Sequence, residues 1–430
     1  MRPGTRLRAA AAFIAPFVVL LVSPTVIALG QSTEQAAETP PPTPVVGAGG
    51  RTTMSPFPSV LHTPPPSTEL PQLEAAAAIL ADLASGQVLY ARFPDKPRPI
   101  ASVTKIMTAL LVIERTTPGD LVTASANAAG DGRSPGISEL GLVEGEQVRV
   151  DDLVYALMLQ SANDAAIALA EHVSGSVEAF VDDMNRRAHR LGMTNTEFSS
   201  PNGLDDRGYS SARDLVTLTR AAYEHPGFAS VVATRFHEIP APEGTSPRVV
   251  QNRNVLLWLY PGAVGVKTGF TTAAGFCVVA TATRDDIDLI AVVLGSPGEP
   301  FSEAAALLDY GFTAFEQREV LREGASLGSV EIDGHAVPVA AGGSLEGLVR
   351  TEAEVHTDVT VDPTAAFPPF PGEAVGTVTV RTPGLHIGGV PLVVTDVPPP
   401  PPPEDPGPWW RRAATSVLGA IDRVLDSLFG

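Results

Sequence analysis

From Leu73 onward the apolar and polar positions follow regular patterns that predict secondary structure. In AAAAILADLASGQVLYARFPDK two short apolar stretches flank Ser85-Gly86, which predicts a β-hairpin. SVTKIMTALLVIERT predicts a helix begun by Ser102 as its N-cap. VRVDDLVYALMLQ ends in a second helix, and DAAIALAEHVSG resumes after the polar break QSAND. SVEAFVDDMNRRAHRLG is amphipathic with a stop at Gly192, and SARDLVTLTRAAYEHP predicts a further helix closed by Pro226. FCVVATAT and IDLIAVVLG are apolar strands about a charged turn, and PFSEAAALLDYGFTAFEQ is a last helix. Strands open and close this segment and helices fill its middle. The expectation is an α+β domain over residues 73–319, with an antiparallel sheet whose first and last strands come from opposite ends of the segment.

The flanking segments have a different character. Residues 1–30 carry Arg2, Arg6 and Arg8 ahead of an apolar run, with ALG at Ala28 to Gly30 as a candidate cleavage site. This reads as a secretory signal, an uncleaved anchor being the alternative because the run is long enough to span a bilayer. Either reading places the protein outside the cytoplasm. Residues 31–72 are a Pro-rich linker, and 320–397 hold short alternating strands with Gly/Pro turns, a small β-rich domain. A polyproline spacer follows at 398–408. In the tail, 409–430, Trp410, Ala414, Val417, Ile421, Val424, Leu425 and Leu428 share one helical face opposite charged residues. That amphipathic helix suits lying in a membrane interface, and docking on a protein is the alternative.

Composition narrows the chemistry. The 430 residues are 44% hydrophobic, enough for a sizeable core, and the net charge of −19 argues against a nucleic-acid partner. One cysteine, Cys277, permits no internal disulfide and reads as a buried strand residue. His172 and His189 sit in helical patterns, and no H-x-H or H-E-x-x-H pairing occurs, so neither a metal site nor a cofactor is expected. Of 29 basic residues only Lys96, Lys105 and Lys267 are lysines. Arg stays protonated, whereas Lys can be desolvated into a neutral base. A lysine in so Arg-rich a chain therefore marks a position where Arg does not serve.

Lys105 lies three residues after Ser102, on the same helical face at a Cβ spacing of about 5–6 Å. A serine hydroxyl needs an adjacent base to become a nucleophile, and a helix start aims N–H groups at a developing oxyanion. The lysine's pKa must be depressed for this, by burial or a second cation. Lys267-Thr268-Gly269, before the strand FCVVATAT, offers that cation and a hydroxyl, and Gly269 lets a substrate backbone approach. Ser-x-Asn occurs three times, at Ser125, Ser161 and Ser200. Only Ser161-Ala162-Asn163 lies between two strongly apolar helical segments, which selects Ser161 as a proton relay and Asn163 as a carbonyl-positioning amide. Asp164 is expected to cap the helix that follows.

These motifs, with PIASVTKIMTALL, LMLQSANDAA, KTGFTTAAGFC and GMTNTEFSSPNGL, resemble the low-molecular-mass D-alanyl-D-alanine carboxypeptidases, which are penicillin-binding serine enzymes. The resemblance covers residues 73–317 and implies a serine β-lactamase/transpeptidase-like fold with an inserted helical region, followed by the β-rich domain. It also implies peptidoglycan stem peptides as substrate, Ser102 as nucleophile and β-lactams as inhibitors. Lys267 and Thr268 would bind the terminal carboxylate, and the N–H groups of Ser102 and Phe270 would form the oxyanion hole. The chain departs from the family where some members carry a His, here Phe270, and where some carry a carboxylate-assisting Arg, here about Pro300. A D,D-endopeptidase is the nearest alternative. A β-lactamase is disfavoured by the absence of an E-x-x-L-N string, and a silent wall-binding protein by the intact Ser102, Lys105 and Lys267.

Overall fold

In a computed structural model, residues 65–130, 137–240 and 246–396 are described, with Leu61, Thr63 and scattered residues between Ala413 and Asp426. The secretory signal, nearly all of the linker before residue 61, the polyproline spacer and much of the tail lie outside the described residues.

Five antiparallel strands form the main sheet: β1 (Ala77–Asp82), β2 (Val88–Arg92), β3 (Ala263–Thr271), β4 (Gly275–Arg284) and β5 (Ile287–Ser296). Their order is β2-β1-β5-β4-β3, so the first strand pairs with the last, Ala77 opposite Leu294 through Asp82 opposite Leu289. The apolar runs that predict these strands barely alternate because both faces are buried. Ala77, Ile79, Val279 and Val292 enter one core with the helix α1 (Lys105–Arg115). Their neighbours Ala78, Leu80, Val278 and Val293 enter a second core. That core is roofed by the last helix of the segment (Pro300–Ala314). Truncating a fully buried side chain such as Leu110 would cost about 2–5 kcal/mol.

The helical insertion holds α2 (Asn163–Ser174), α3 (Val177–Arg190) and α4 (Ala212–Tyr223), all packed on the α1 side of the sheet. Pro226 does not end α4. It begins a short helix, Pro226–Ala233, at a first-turn position where its missing N–H costs nothing.

From Phe315 to Val394 the chain is built of strands and their turns. Phe315–Leu321 pairs with Leu345–Arg350, and a five-stranded antiparallel sheet follows. Gln87 ties this region to the β1–β2 hairpin, its Nε2 donating to Leu348 O at 2.7 Å and its Oε1 accepting from Leu348 N at 3.0 Å. Among the described residues no helix is long and apolar enough to cross a membrane.

Candidate active site

Ser102 lies in a 3-10 turn, Ala101–Thr104, that leads into α1. It is therefore not the N-cap expected from sequence: Thr104 occupies that position, and no side-chain cap bond forms. The tighter turn leaves the hydroxyl free for another partner. Two glycines let the surrounding chain close on this turn. A Cβ on Gly203, whose φ is 77°, would fall 2.0 Å from Ala101 O. A Cβ on Gly269 would fall 2.9 Å from Ile100 O and 3.0 Å from Ser102 N. Gly269 thus admits the Ser102 turn against the edge of β3.

Lys105 is wholly buried, and its Nζ has three neighbours: Ser102 Oγ at 3.0 Å, Asn163 Oδ1 at 2.8 Å and Asn202 O at 2.6 Å. Burial, then the charges of Lys267 and Arg253, hold its pKa well below the ordinary lysine value, with Asp164 opposing. A neutral amine has two N–H groups and one lone pair. Two of the three neighbours are carbonyl oxygens, which can only accept. They take the N–H groups and leave the lone pair directed at the Ser102 hydroxyl.

The Ser161 turn closes the site from the helical side. The helix Val150–Tyr155 widens into a π turn, Ala156–Gln160, which ends at Ser161 in the left-handed region with φ 65°. Such a conformation is costly for a non-glycine residue and is held by its surroundings. Here Asn163 N and Nδ2 both donate to Ser138 O, at 2.8 and 2.9 Å, and Ser138 Oγ donates to Gln160 O at 2.6 Å. Asp164 does not cap α2, where Ala162 is the cap residue. Its carboxylate accepts from the N–H groups of Leu140, Gly141 and Leu142 at 2.7–3.0 Å, besides its neighbour Ala165. The segment 138–142 is therefore zipped onto the turn.

The other two Ser-x-Asn triplets have other fates. Ser125 caps a short helix, and with Asn127 it binds Glu171 of α2. Ser200-Pro201-Asn202, set aside as a turn, lines the site with its main chain: Asn202 O meets Lys105, and Pro201 O accepts from Thr108 Oγ1.

Strand β3 forms the opposite wall. Lys267 is 1% exposed, and its pKa is pushed down to about 7 by burial and then by Arg253. Its Nζ donates to Thr268 O at 3.0 Å. Phe270 is exposed at the rim, its ring against Phe276 with centroids 4.5 Å apart. Thr271 Oγ1 donates to Asp206 Oδ1 at 2.8 Å, tying the strand's end to the loop after Asn202. Cys277 is buried, and its thiol is pushed up to about 11, which makes it unreactive. The described residues contain no cluster of potential metal ligands.

Comparison with known proteins agrees with this geometry. A family model described as D-alanyl-D-alanine carboxypeptidase matches residues 64–298. The D-alanyl-D-alanine carboxypeptidase DacC of Escherichia coli is 35% identical over 357 residues, 77% of this chain and 86% of that protein. DacB2 of Mycobacterium tuberculosis is 36% identical over 265 residues, 60% of this chain and 89% of that one. Among solved structures, penicillin binding protein 5 from Haemophilus influenzae superposes with a TM-score of 0.64 at 32% identity, covering 76% of this chain and 98% of that one. The α+β fold is that of the penicillin-recognising serine enzymes. With a family model over more than half its length and a relative of this similarity along most of its own, the chain belongs to the D-alanyl-D-alanine carboxypeptidase family.

Proposed function

We propose that this protein removes the terminal D-Ala from peptidoglycan stem peptides through an acyl-enzyme on Ser102. The single observation that carries this reading is the buried Lys105 amine with two carbonyl oxygens and the Ser102 hydroxyl around it. Lys105 takes the Ser102 proton as Oγ attacks the carbonyl of the penultimate D-Ala. The N–H groups of Ser102 and Phe270 hold the developing oxyanion. The proton returns through Ser161 to the leaving amine, the C–N bond breaks, and D-Ala departs. Water then attacks the ester, Lys105 serving again as base, and Ser102 is restored. Asn163 orients Lys105 and the acyl carbonyl, while Lys267 and Thr268, on the strand that Gly269 lets approach Ser102, bind the substrate's carboxylate. A β-lactam acylates Ser102 by the same attack.

The substrate lies outside the cytoplasm, which fits the basic and apolar N-terminal segment. Residues 73–319 form the catalytic unit and 320–397 the β-rich unit in this reading. The tail rests on the membrane surface: Val417, Ile421 and Leu425 are exposed on helical residues, as an interfacial face requires. Labelling with a fluorescent penicillin tests the site. Wild type should be labelled and Ser102→Ala should not, and equal labelling of the two would remove the assignment.

A further inference from the structure

The five-stranded sheet of the β-rich unit has two edges, and they differ. One edge strand, Ser326–Ile332, loses register between Ser326 and Ser329, where Gly328 has φ 83°. Such a bulge spoils an edge as a template for further pairing. The other edge strand is β6 (His356–Val361). It pairs with β7 (Ala374–Thr382) in unbroken register, His356 opposite Arg381 through Val361 opposite Gly376. It carries no Pro, no Lys and no bulge, the devices that blunt an edge. Its first five residues are exposed, and among the described residues no strand pairs with its outer side.

The ladder fixes which main-chain groups face outward. Asp362 N, one residue past β6, donates to Val375 O of β7 at 2.8 Å. Main-chain groups alternate in direction along an antiparallel strand, so those of His356, Asp358 and Thr360 also face β7. The N–H and C=O groups of Thr357, Val359 and Val361 therefore point away from the sheet. The surroundings are acidic. No Lys or Arg occurs between Arg350 and Arg381, a stretch that holds Glu352, Glu354, Asp358, Asp362 and Glu373. Arg381 is engaged by Asp358, its Nη2 donating to Oδ1 at 3.1 Å. Glu352 and Glu354 are exposed just before β6, and Asp362 just after it. Pairing of two copies along this edge would bring these carboxylates together in a chain of net charge −19.

We propose that β6 is a docking edge that takes an extended, basic segment of another protein as a sixth strand. The outward N–H and C=O groups of Thr357, Val359 and Val361 carry the main-chain pairing. Lys or Arg side chains at the ends of the incoming strand meet Glu352, Glu354 and Asp362, which sets the partner's charge. The edge does not depend on the chemistry at Ser102, so penicillin labelling is an independent check that a variant is folded.

The test uses the full chain and a fluorescent peptide of alternating Val and Thr with a pair of lysines at each end, beside a counterpart in which Glu replaces every Lys. The Lys peptide should slow amide exchange at Thr357, Val359 and Val361, and its affinity should fall as salt rises. The Glu peptide should bind at least about tenfold more weakly. Val359→Pro removes one outward N–H and leaves every bond to β7 in place. It should weaken the Lys peptide by about 5–10-fold, whereas Val359→Ala, which keeps the N–H, should weaken it by less than about threefold. No slowing at the three amides, equal binding of the two peptides, or equal affinity of Val359→Pro and wild type would overturn the proposal. So would exchange at these amides that slows in the free protein as its concentration rises, which would make a second copy the occupant. If Val359→Pro does not fold, Glu352→Lys combined with Glu354→Lys decides. The preference between the two peptides should then move toward the Glu peptide by about tenfold, and an unchanged preference overturns the proposal.

Discussion

Lys105 Nζ stands 3.0 Å from Ser102 Oγ, and its other two neighbours, Asn163 Oδ1 and Asn202 O, are both oxygens that only accept. The arrangement favours a neutral amine whose one lone pair faces the Ser102 hydroxyl. Lys105→Arg keeps a positive charge in a similar place and has no lone pair to offer. It should lower the rate of acylation by penicillin by about 10²–10⁴-fold, the usual worth of a general base, measured by stopped labelling time courses. Near-normal rates would show that Lys105 is not the base.

Asn163→Asp places a carboxylate against Lys105 in a dry site. A neighbouring negative charge favours the ammonium, so the pKa of Lys105 moves up. The rising limb of the pH profile for acylation should then move to higher pH. An unmoved limb would mean that Lys105 does not control it.

Asp164→Asn replaces one of two accepting oxygens with an amide NH₂ that meets main-chain N–H groups of residues 140–142. Donor then faces donor, and a loss of about 1–3 kcal/mol follows. Thermal unfolding should show the loss, and amide exchange should quicken at Leu140, Gly141 and Leu142. Exchange unchanged in that segment would mean that the carboxylate does not hold it.

Lys267→Met should make the protein more stable and less active. The native pKa of Lys267 is about 7 against 10.5 for a free lysine. Below about pH 7 both states are protonated, and the native state bears the full cost of a buried charge. Between about 7 and 10.5 the unfolded state binds more protons than the native one, so wild-type stability recovers as pH rises. The variant's advantage, on the order of 2–4 kcal/mol, should be largest below pH 7 and shrink above it. Denaturant titrations across that range measure it, and an advantage that grows with pH would contradict the sign.

The meeting of Ser102 with Lys105 was legible in the sequence because reactive side chains at fixed spacings are written in one-letter code. The buried strands were legible for the same kind of reason: β4 and β5 are nearly unbroken apolar runs. Contacts made by main chain are not written there. Every residue has a carbonyl, so nothing in Ser200-Pro201-Asn202 marks Asn202 O as a partner of Lys105. Asp164 resembles a helix cap because its true partners lie more than twenty residues earlier. Ser102 resembles an N-cap because a 3-10 turn and an α-helix start share their preferred residues. Arg253 carried no motif at all: its place is set by Asn252 and Asn254, whose side-chain amides donate to Val232 O and Gly265 O.

The most direct measurement is the mass of the products when full-length protein digests a purified stem pentapeptide. Wild type should shorten the peptide by one D-Ala, passing through an acyl adduct on Ser102, and Ser102→Ala should leave it intact. Release of D-Ala by Ser102→Ala at the wild-type rate would contradict the assignment of Ser102 as nucleophile and of Lys105 as its base.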